Sequence, residues 1–175
     1  NPQAIETAYV SIITFDHEAK QIVPLTDLAS FQMVDIKAQS TTSLGAALTL
    51  LAEKMETEIT KTTTEQKGDW KPLTFIMTDG VPTDDWQTGL SKIKAINKGL
   101  IVGCAAGSAA DDSILKQIAD SVVRLDSADS DSISKFFQWV TASISTTSTK
   151  VEESGIDLKK IDQLPPPPSE LVIVS

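Results

Sequence analysis

Residues 73–86, LTFIMTDGVPTDDW, decide the fold of this chain because they join a buried strand to the start of a helix. The LTFIMT portion is mostly apolar, which is typical of a strand buried in a sheet. Three carboxylates follow it within seven residues, at Asp79, Asp84 and Asp85. Carboxylates in such a position bind a metal ion, carry out acid–base chemistry or begin the next helix. The rest of the sequence has to distinguish between these roles.

Apolar runs elsewhere in the chain predict further strands. AYVSIITF at 8–15, LIVGCAAG at 100–107 and SVVRLD at 121–126 are each typical of a buried strand. KQIVPL at 20–25 is predicted to be an edge strand, because Pro24 has no N–H to donate to a neighbouring strand.

Apolar residues at three- and four-residue spacing predict the helices between these strands. The helices are expected to begin near Thr42 or Ser43, near Trp86 and at Asp111, with a last one in DSISKFFQWVTASI. The buried stripe predicted for the last helix is Ile133, Phe136, Phe137, Val140 and Ile144. Alternating strands and helices need crossover connections. The sequence therefore predicts an α/β fold with a doubly wound, mostly parallel sheet and helices on both faces.

The composition excludes several classes of protein. A chain of 175 residues fits one domain with a sizeable core. The formal net charge of −9 argues against a nucleic-acid-binding protein and favours cationic partners or metal ions. No apolar run approaches the roughly 20 residues that cross a bilayer. The single cysteine, Cys104, excludes an internal disulfide, and its apolar neighbours predict a small core residue.

The two ends of the chain differ from the middle. Residues 1–150 are expected to form the domain, and residues 151–175 a polar and proline-rich C-terminal extension. Within the extension, LPPPPSELVIVS joins a polyproline spacer to a short strand-like segment. We expect this segment to dock on the chain's own sheet edge or on a neighbouring chain. The chain begins at Asn1 without a methionine, so its N-terminus is expected to lie upstream.

The polar residues at strand ends suggest where a ligand binds. Open α/β sheets bind ligands where the carboxyl ends of the strands meet. Asp79 lies at such an end, Asp16 follows the first strand, and Thr42 precedes a helix in STTSLGAALTLL. Mg²⁺ prefers carboxylate, hydroxyl and water oxygens, so these residues suit a hydrated divalent cation.

Each of these residues also has a structural explanation. Thr42 or Ser43 can cap the helix that follows. Asp84 and Asp85 are expected in the first turn of the next helix, where acids are favoured, and this is the preferred interpretation of Asp85. Asp16 can simply close a turn. The metal hypothesis therefore depends on the combination.

TTSLGAAL at 41–48, followed by MTDGVPTDD at 77–85, resembles the von Willebrand factor A domain. In that family a threonine of a G-[GT]-T-x-x-G-x-A-L loop and the aspartate of a T-D-G sequence help to build a metal-ion-dependent adhesion site. The chain is also similar to the bacterial tellurium-resistance TerY-type proteins, and this resemblance covers nearly its whole length. The segments that carry it are SIITFD, VPLTDL, TTSLGAALTLLAEK, KTTTEQKGDWKPL, MTDGVPTDDW, CAAG and LPPPP.

The resemblance implies a ligand set. Thr42 and Asp79 are the metal ligands that this chain is expected to supply, with Ser43, Gly80 and Asp84 around them. Mg²⁺ is the expected cation, and Mn²⁺ and Ca²⁺ are the alternatives. In this family a partner protein supplies a carboxylate to the open position of the metal. The metal then serves binding, and no chemical step is required.

One motif of the family is missing. The family's most acidic metal motif, D-x-S-x-S, ends a buried first strand, and nothing in this chain fits it. The resemblance implies that this strand lies upstream of Asn1 and would pair between AYVSIITF and LTFIMT. Without it, two apolar strand edges would be left open.

The resemblance further implies a protein-interaction module of a bacterial tellurite-resistance or stress-response system in the cytoplasm. Trp70, in KGDWKP, is a candidate partner contact because tryptophan is enriched at interface hot spots. One alternative is a metal-dependent phosphohydrolase. Such an enzyme with a D-x-D nucleophile is disfavoured, because Met77 stands two positions before Asp79. The other alternative is a metal-free scaffold that binds through its surface and its proline-rich tail.

Overall fold

The computed structural model describes residues 8–32, 34–36, 41–79, 81–107, 110–154 and 160–174, without the side chains of 148–154. The strands in these ranges are β1 (Tyr9–Phe15), β2 (Ala19–Asp27), β3 (Leu73–Thr78), β4 (Leu100–Ala106), β5 (Ser121–Leu125) and β6 (Leu171–Val174). The helices are α1 (Leu44–Glu58), α2 (Trp86–Ala95), α3 (Asp112–Ile118) and α4 (Ser130–Ser154), with a 3₁₀ turn at Ile161–Gln163. None of the described helices is long and apolar enough to cross a membrane.

The strands form two sheets. β1 and β2 make an antiparallel pair, and β3, β4, β5 and β6 make a four-stranded sheet in that order. β3, β4 and β5 run parallel, and β6 is antiparallel to β5. Pro24 lies in β2, which pairs only with β1 in the described part of the chain, as predicted for an edge strand. β1 and β3 each have one edge without a strand partner among the described residues.

Both faces of the four-stranded sheet are covered, which confirms the predicted doubly wound α/β class. Side chains alternate across a strand, so Ile101 and Val102 of β4 enter different apolar clusters. The Ile101 cluster also contains Leu48 of α1 and Leu115 of α3. The Val102 cluster contains Phe136 of α4. The sheet is thus enclosed by α1, α2 and α3 on one face and by α4 on the other.

The predicted buried stripe of α4 was partly wrong. Phe136 is buried as expected, but 53% of the Phe137 side chain is exposed. Trp139 is buried in its place, and its ring packs edge-on against Phe75 of β3. The KFFQWV segment offers apolar side chains over a wide arc of the helix, so spacing alone did not show which of them face the sheet.

The C-terminal segment belongs to the same core. Leu164 and Leu171 are buried in the cluster beneath α4, and the Trp139 indole N–H donates to the Pro165 carbonyl at 2.9 Å. β6 pairs with β5, so the segment docks on the chain's own sheet edge, the first of the two expected arrangements. The predicted division at residue 150 falls inside α4, which continues to Ser154.

Truncating Leu171 should reveal how much the docked segment stabilises the domain. Leu171→Ala is expected to lower the free energy of unfolding by about 2–5 kcal/mol, because the lost methyl groups leave a cavity in the core. Val172→Ala is the matched control, since 51% of Val172 is exposed against 4% of Leu171. Denaturant unfolding measures both variants, and equal effects would contradict a packed C-terminal segment.

Candidate metal-binding and interaction site

Three segments meet at the carboxyl ends of β1 and β3. The N–H of Ser43 donates to the carbonyl of Asp16, just after β1, at 2.8 Å. The N–H of Thr83, in the loop after β3, donates to the carbonyl of Thr42 at 2.9 Å. The N–H of Thr42 in turn donates to the Thr83 hydroxyl at 3.3 Å. The start of α1 is therefore tied to both strand ends.

Asp84 caps α1 rather than the helix that follows it in sequence. Its Oδ1 accepts from the Gly45 N–H at 2.9 Å, and its Oδ2 accepts from the Ala46 N–H at 2.8 Å. The expected cap from Thr42 or Ser43 is not made: Ser43 occupies the N-cap position, but its side chain forms no capping hydrogen bond. The carboxylate of Asp84 takes over that role from another loop, and its negative charge suits the helix N-terminus.

α1 and α2 approach each other through two glycines. A Cβ added to Gly89 would lie 2.5 Å from the Gly45 carbonyl oxygen, and one added to Gly45 would lie 2.3 Å from the Asp85 carbonyl oxygen. Real Cβ atoms do not come this close to backbone atoms. The absence of both side chains is what brings the start of α1 against the start of α2.

Asp79 and Thr42 retain free oxygen atoms at this edge. Asp79 directly follows β3, is exposed, and accepts no hydrogen bond from any residue that the structure describes. The hydroxyl of the half-buried Thr42 likewise has no partner within the described ranges. A carboxylate and a hydroxyl are suitable ligands for Mg²⁺, which keeps several of its waters. The described residues contain no group of three or more His, Cys, Asp or Glu side chains that could hold a metal ion.

Comparison with known protein families identifies the domain. The family model of the von Willebrand factor type A domain matches residues 4–139. The chain belongs to this family. Domains of the family mediate protein–protein interactions and are generally not enzymes. No match was found among curated proteins or among solved structures.

In this von Willebrand factor A domain, Asp85 and Asp16 near the same edge have structural partners. Asp85 is the N-cap of α2, as predicted: its carboxylate accepts from the Thr88 hydroxyl at 2.6 Å and from the Thr88 N–H at 3.2 Å. These bonds hold the pKa of Asp85 below its ordinary value. The Glu18 N–H lowers the pKa of Asp16 in the same way, and the Asp16 carboxylate also lies 2.7 Å from Nδ1 of His17. Asp16 therefore closes its own turn.

Trp70, the candidate partner contact, is not brought to this edge. Trp70 precedes β3, whereas Asp79 follows it, and a strand of 6 residues spans about 20 Å. Trp70 is 38% exposed, and Nζ of Lys67 lies 4.1 Å from the centroid of its ring. Gly80 lies outside the described residues. Cys104 is fully buried, which confirms the predicted small core residue, and burial raises its pKa to about 12.

Two contributions to this site were not predicted from the sequence. Thr83 makes two hydrogen bonds with the backbone of Thr42, one through its N–H and one through its hydroxyl, although the two residues lie 41 positions apart in sequence. Asp84 caps a helix whose first amides lie 38 and 39 positions earlier. Local patterns do not indicate such partners. The only available signal was two successive acids before α2, which is one more than a single N-cap needs.

The close approach of the two helices should be sensitive to a single methyl group. Replacing glycine by alanine inside a helix normally stabilises the helix by about 1 kcal/mol. Gly89→Ala is nevertheless expected to lower the free energy of unfolding by about 1–3 kcal/mol, because the new Cβ forces α2 away from α1. Gln87→Ala, on the exposed side of α2, should change it by less than about 0.5 kcal/mol. A stabilised Gly89→Ala variant in thermal unfolding would contradict the packing described above.

The cap of α2 should make stability depend on acid pH. The folded-state pKa of Asp85 is lowered, so its contribution is present at neutral pH and is lost as the pH falls through that value, below about pH 4. Asparagine also caps helices but does not titrate. Wild type should therefore lose more stability than Asp85→Asn on acidification, as measured by denaturant unfolding at several pH values. Parallel pH profiles would show that Asp85 does not contribute in this way.

Proposed function

We propose that this domain is a metal-ion-dependent protein-interaction module. Thr42 and Asp79 hold a divalent cation, Mg²⁺ by preference and Mn²⁺ or Ca²⁺ otherwise. Water occupies the remaining positions, and a carboxylate of a partner protein replaces one water on binding. The cation acts as a bridge between two proteins, and no bond is made or broken.

The observation that carries this proposal is the exposed Asp79 carboxylate, whose oxygens are free to bind a ligand. It is exposed at the carboxyl edge of the parallel sheet, where ligands bind in open α/β folds, and it has no hydrogen-bond donor among the described residues. The Asp84 carboxylate is occupied by the start of α1 and the Asp85 carboxylate by the start of α2. Of the three acids after β3, Asp79 is the one left for a ligand.

Ser43 and Asp84 support the metal ligands rather than bind the cation themselves. Ser43 is buried at the N-cap position, where its N–H ties α1 to the end of β1. Both oxygens of Asp84 already accept helix amides. We further propose that a D-x-S-x-S segment contributes more ligands from the space between the open edges of β1 and β3, as the family resemblance implies.

The same resemblance leads us to propose a biological setting. The TerY-type resemblance in the sequence supports a role in a bacterial tellurite-resistance or stress-response system in the cytoplasm. The formal net charge of −9 suits this type of bridge, because two acidic surfaces that would repel each other can share a divalent cation.

The two alternatives differ in what supports them. A phosphohydrolase needs a second acid next to Asp79, and the two acids that follow are engaged as helix caps. A metal-free scaffold is the second candidate, favoured because the described residues contain no group of three or more His, Cys, Asp or Glu side chains that could hold a metal ion. Its proline-rich segment is partly covered, however, because the Trp139 indole N–H donates to the carbonyl of Pro165, the first of the prolines, and β5 pairs with β6 just after them.

Calorimetric titration with Mg²⁺ and Mn²⁺ tests the proposal. Wild type is expected to bind, and Asp79→Asn and Thr42→Val should each weaken binding by at least about tenfold, since each removes a metal ligand. Glu56→Gln, on the exposed face of α1, removes the same single charge as Asp79→Asn and should leave affinity unchanged.

Acetate can stand in for the carboxylate of the partner. Acetate should increase the affinity of wild type for Mn²⁺, because the protein and acetate would coordinate the same ion and each would then favour binding of the other. It should have no such effect on Asp79→Asn. Absence of Mg²⁺ and Mn²⁺ binding by the full-length protein would instead favour the metal-free scaffold, and phosphate-ester hydrolysis that depends on Asp79 would favour the enzyme.

A further inference from the structure

We infer that Asp84 is a positioning residue that presents the Thr42 hydroxyl to the cation; this inference rests on the proposed function. Asp84 does not touch the cation in this arrangement. It acts through the first turn of α1, whose Gly45 and Ala46 amides it binds, and through the loop that it shares with Asp79.

The main chain of Thr42 is held on both sides. Its N–H donates to the Thr83 hydroxyl, and its carbonyl accepts from the Thr83 N–H. Directly after it, Ser43 is tied through its N–H to the carbonyl of Asp16. All of these bonds use backbone groups of residues 42 and 43. The Thr42 hydroxyl therefore remains available while the residue itself cannot move freely.

Asp84 holds the next part of the chain, because the amides that it binds, those of Gly45 and Ala46, lie three and four residues after Thr42. A carboxylate that accepts one amide with each oxygen cannot rotate without breaking a bond, so it fixes the direction of the helix start as well as its distance. The positive end of the helix dipole adds to the attraction. Thr83 and Asp84 are neighbours, so one short segment holds both Thr42 and the turn that follows it.

The same loop also carries the second metal ligand. Asp79 and Asp84 both lie between β3 and α2, whereas Thr42 lies at the start of α1. A bond between Asp84 and α1 therefore fixes the position of one ligand relative to the other. Groups that orient metal ligands in this way raise affinity, because the ligands need no ordering when the ion binds.

A purely structural role for Asp84 leads to a different expectation. In that case its loss would destabilise α1 as the loss of any helix cap does and would leave metal affinity unchanged. Asp111 is the matched control for this possibility. It caps α3 by accepting from the Ser113 N–H at 2.8 Å, and in the described part of the chain it makes no hydrogen bond to α1 or to the Asp84 loop.

The test is Mn²⁺ affinity of the full-length protein, measured by electron paramagnetic resonance and calorimetry. Asp84→Ala is expected to weaken Mn²⁺ binding by about 10- to 100-fold. Asp84→Asn keeps one of the two acceptors and should weaken it less. Asp111→Ala should lower the unfolding temperature but leave Mn²⁺ affinity within about twofold of wild type. The Asn variant also serves as the measurement if Asp84→Ala does not fold.

A double-mutant cycle shows whether Asp84 acts through Thr42. In a Thr42→Val background the hydroxyl is gone, so Asp84→Ala should cause no further loss of Mn²⁺ affinity. Equal losses in both backgrounds would overturn the inference, and so would wild-type affinity in Asp84→Ala. These outcomes leave the proposed cation site intact if wild type binds Mn²⁺. A wild type that does not bind Mn²⁺ overturns the proposed function and this inference together.

Discussion

The hydrogen bonds from the Gly45 and Ala46 amides to Asp84 join the start of α1 to the loop after β3, at the edge where the candidate site lies. α1 follows the β1–β2 pair, and Asp84 follows β3, so the bonds connect segments on either side of the boundary between the two sheets. Because β1 and β3 are not paired with each other among the described residues, the positions of their carboxyl ends depend on α1. The glycine contact between α1 and α2 allows the carboxylate to reach that helix start.

Features that depend on near neighbours in sequence were well predicted. Apolar spacing predicted α1 and α2, and a proline without an N–H predicted the edge position of β2. Asp85 and Asp111 were correctly expected at helix starts, because a cap lies within a few residues of the amides that it binds. The α/β class follows from such local signals, since the order of strands and helices limits the topology.

Features that depend on distant contacts were not predicted. Asp84 has the same local sequence signal as Asp85, yet it binds amides 38 and 39 positions away. Phe137 and Trp139 are both apolar residues in one helix, and only the contact with Phe75 distinguishes the buried one. The sequence left open whether the C-terminal segment docks on this chain or on a neighbouring one, and the packing of Leu164 and Leu171 against Phe136 of α4 decides for this chain. In each case the deciding partner comes from another part of the chain.

The partners of the three acids after β3 determine which of them is free to bind a ligand. Two of them bind backbone amides, so their charges are already partly neutralised by helix starts. In the proposed function Asp79 is the acidic ligand among the described residues and the Thr42 hydroxyl is neutral, so these two ligands leave part of the positive charge of the cation uncompensated. A further carboxylate is then attracted to it, and its arrival strengthens the hold on the cation in return, because coupling between two ligands is reciprocal. In the proposed function, the small number of acidic ligands among the described residues therefore favours a bridge to a second protein over a closed metal centre.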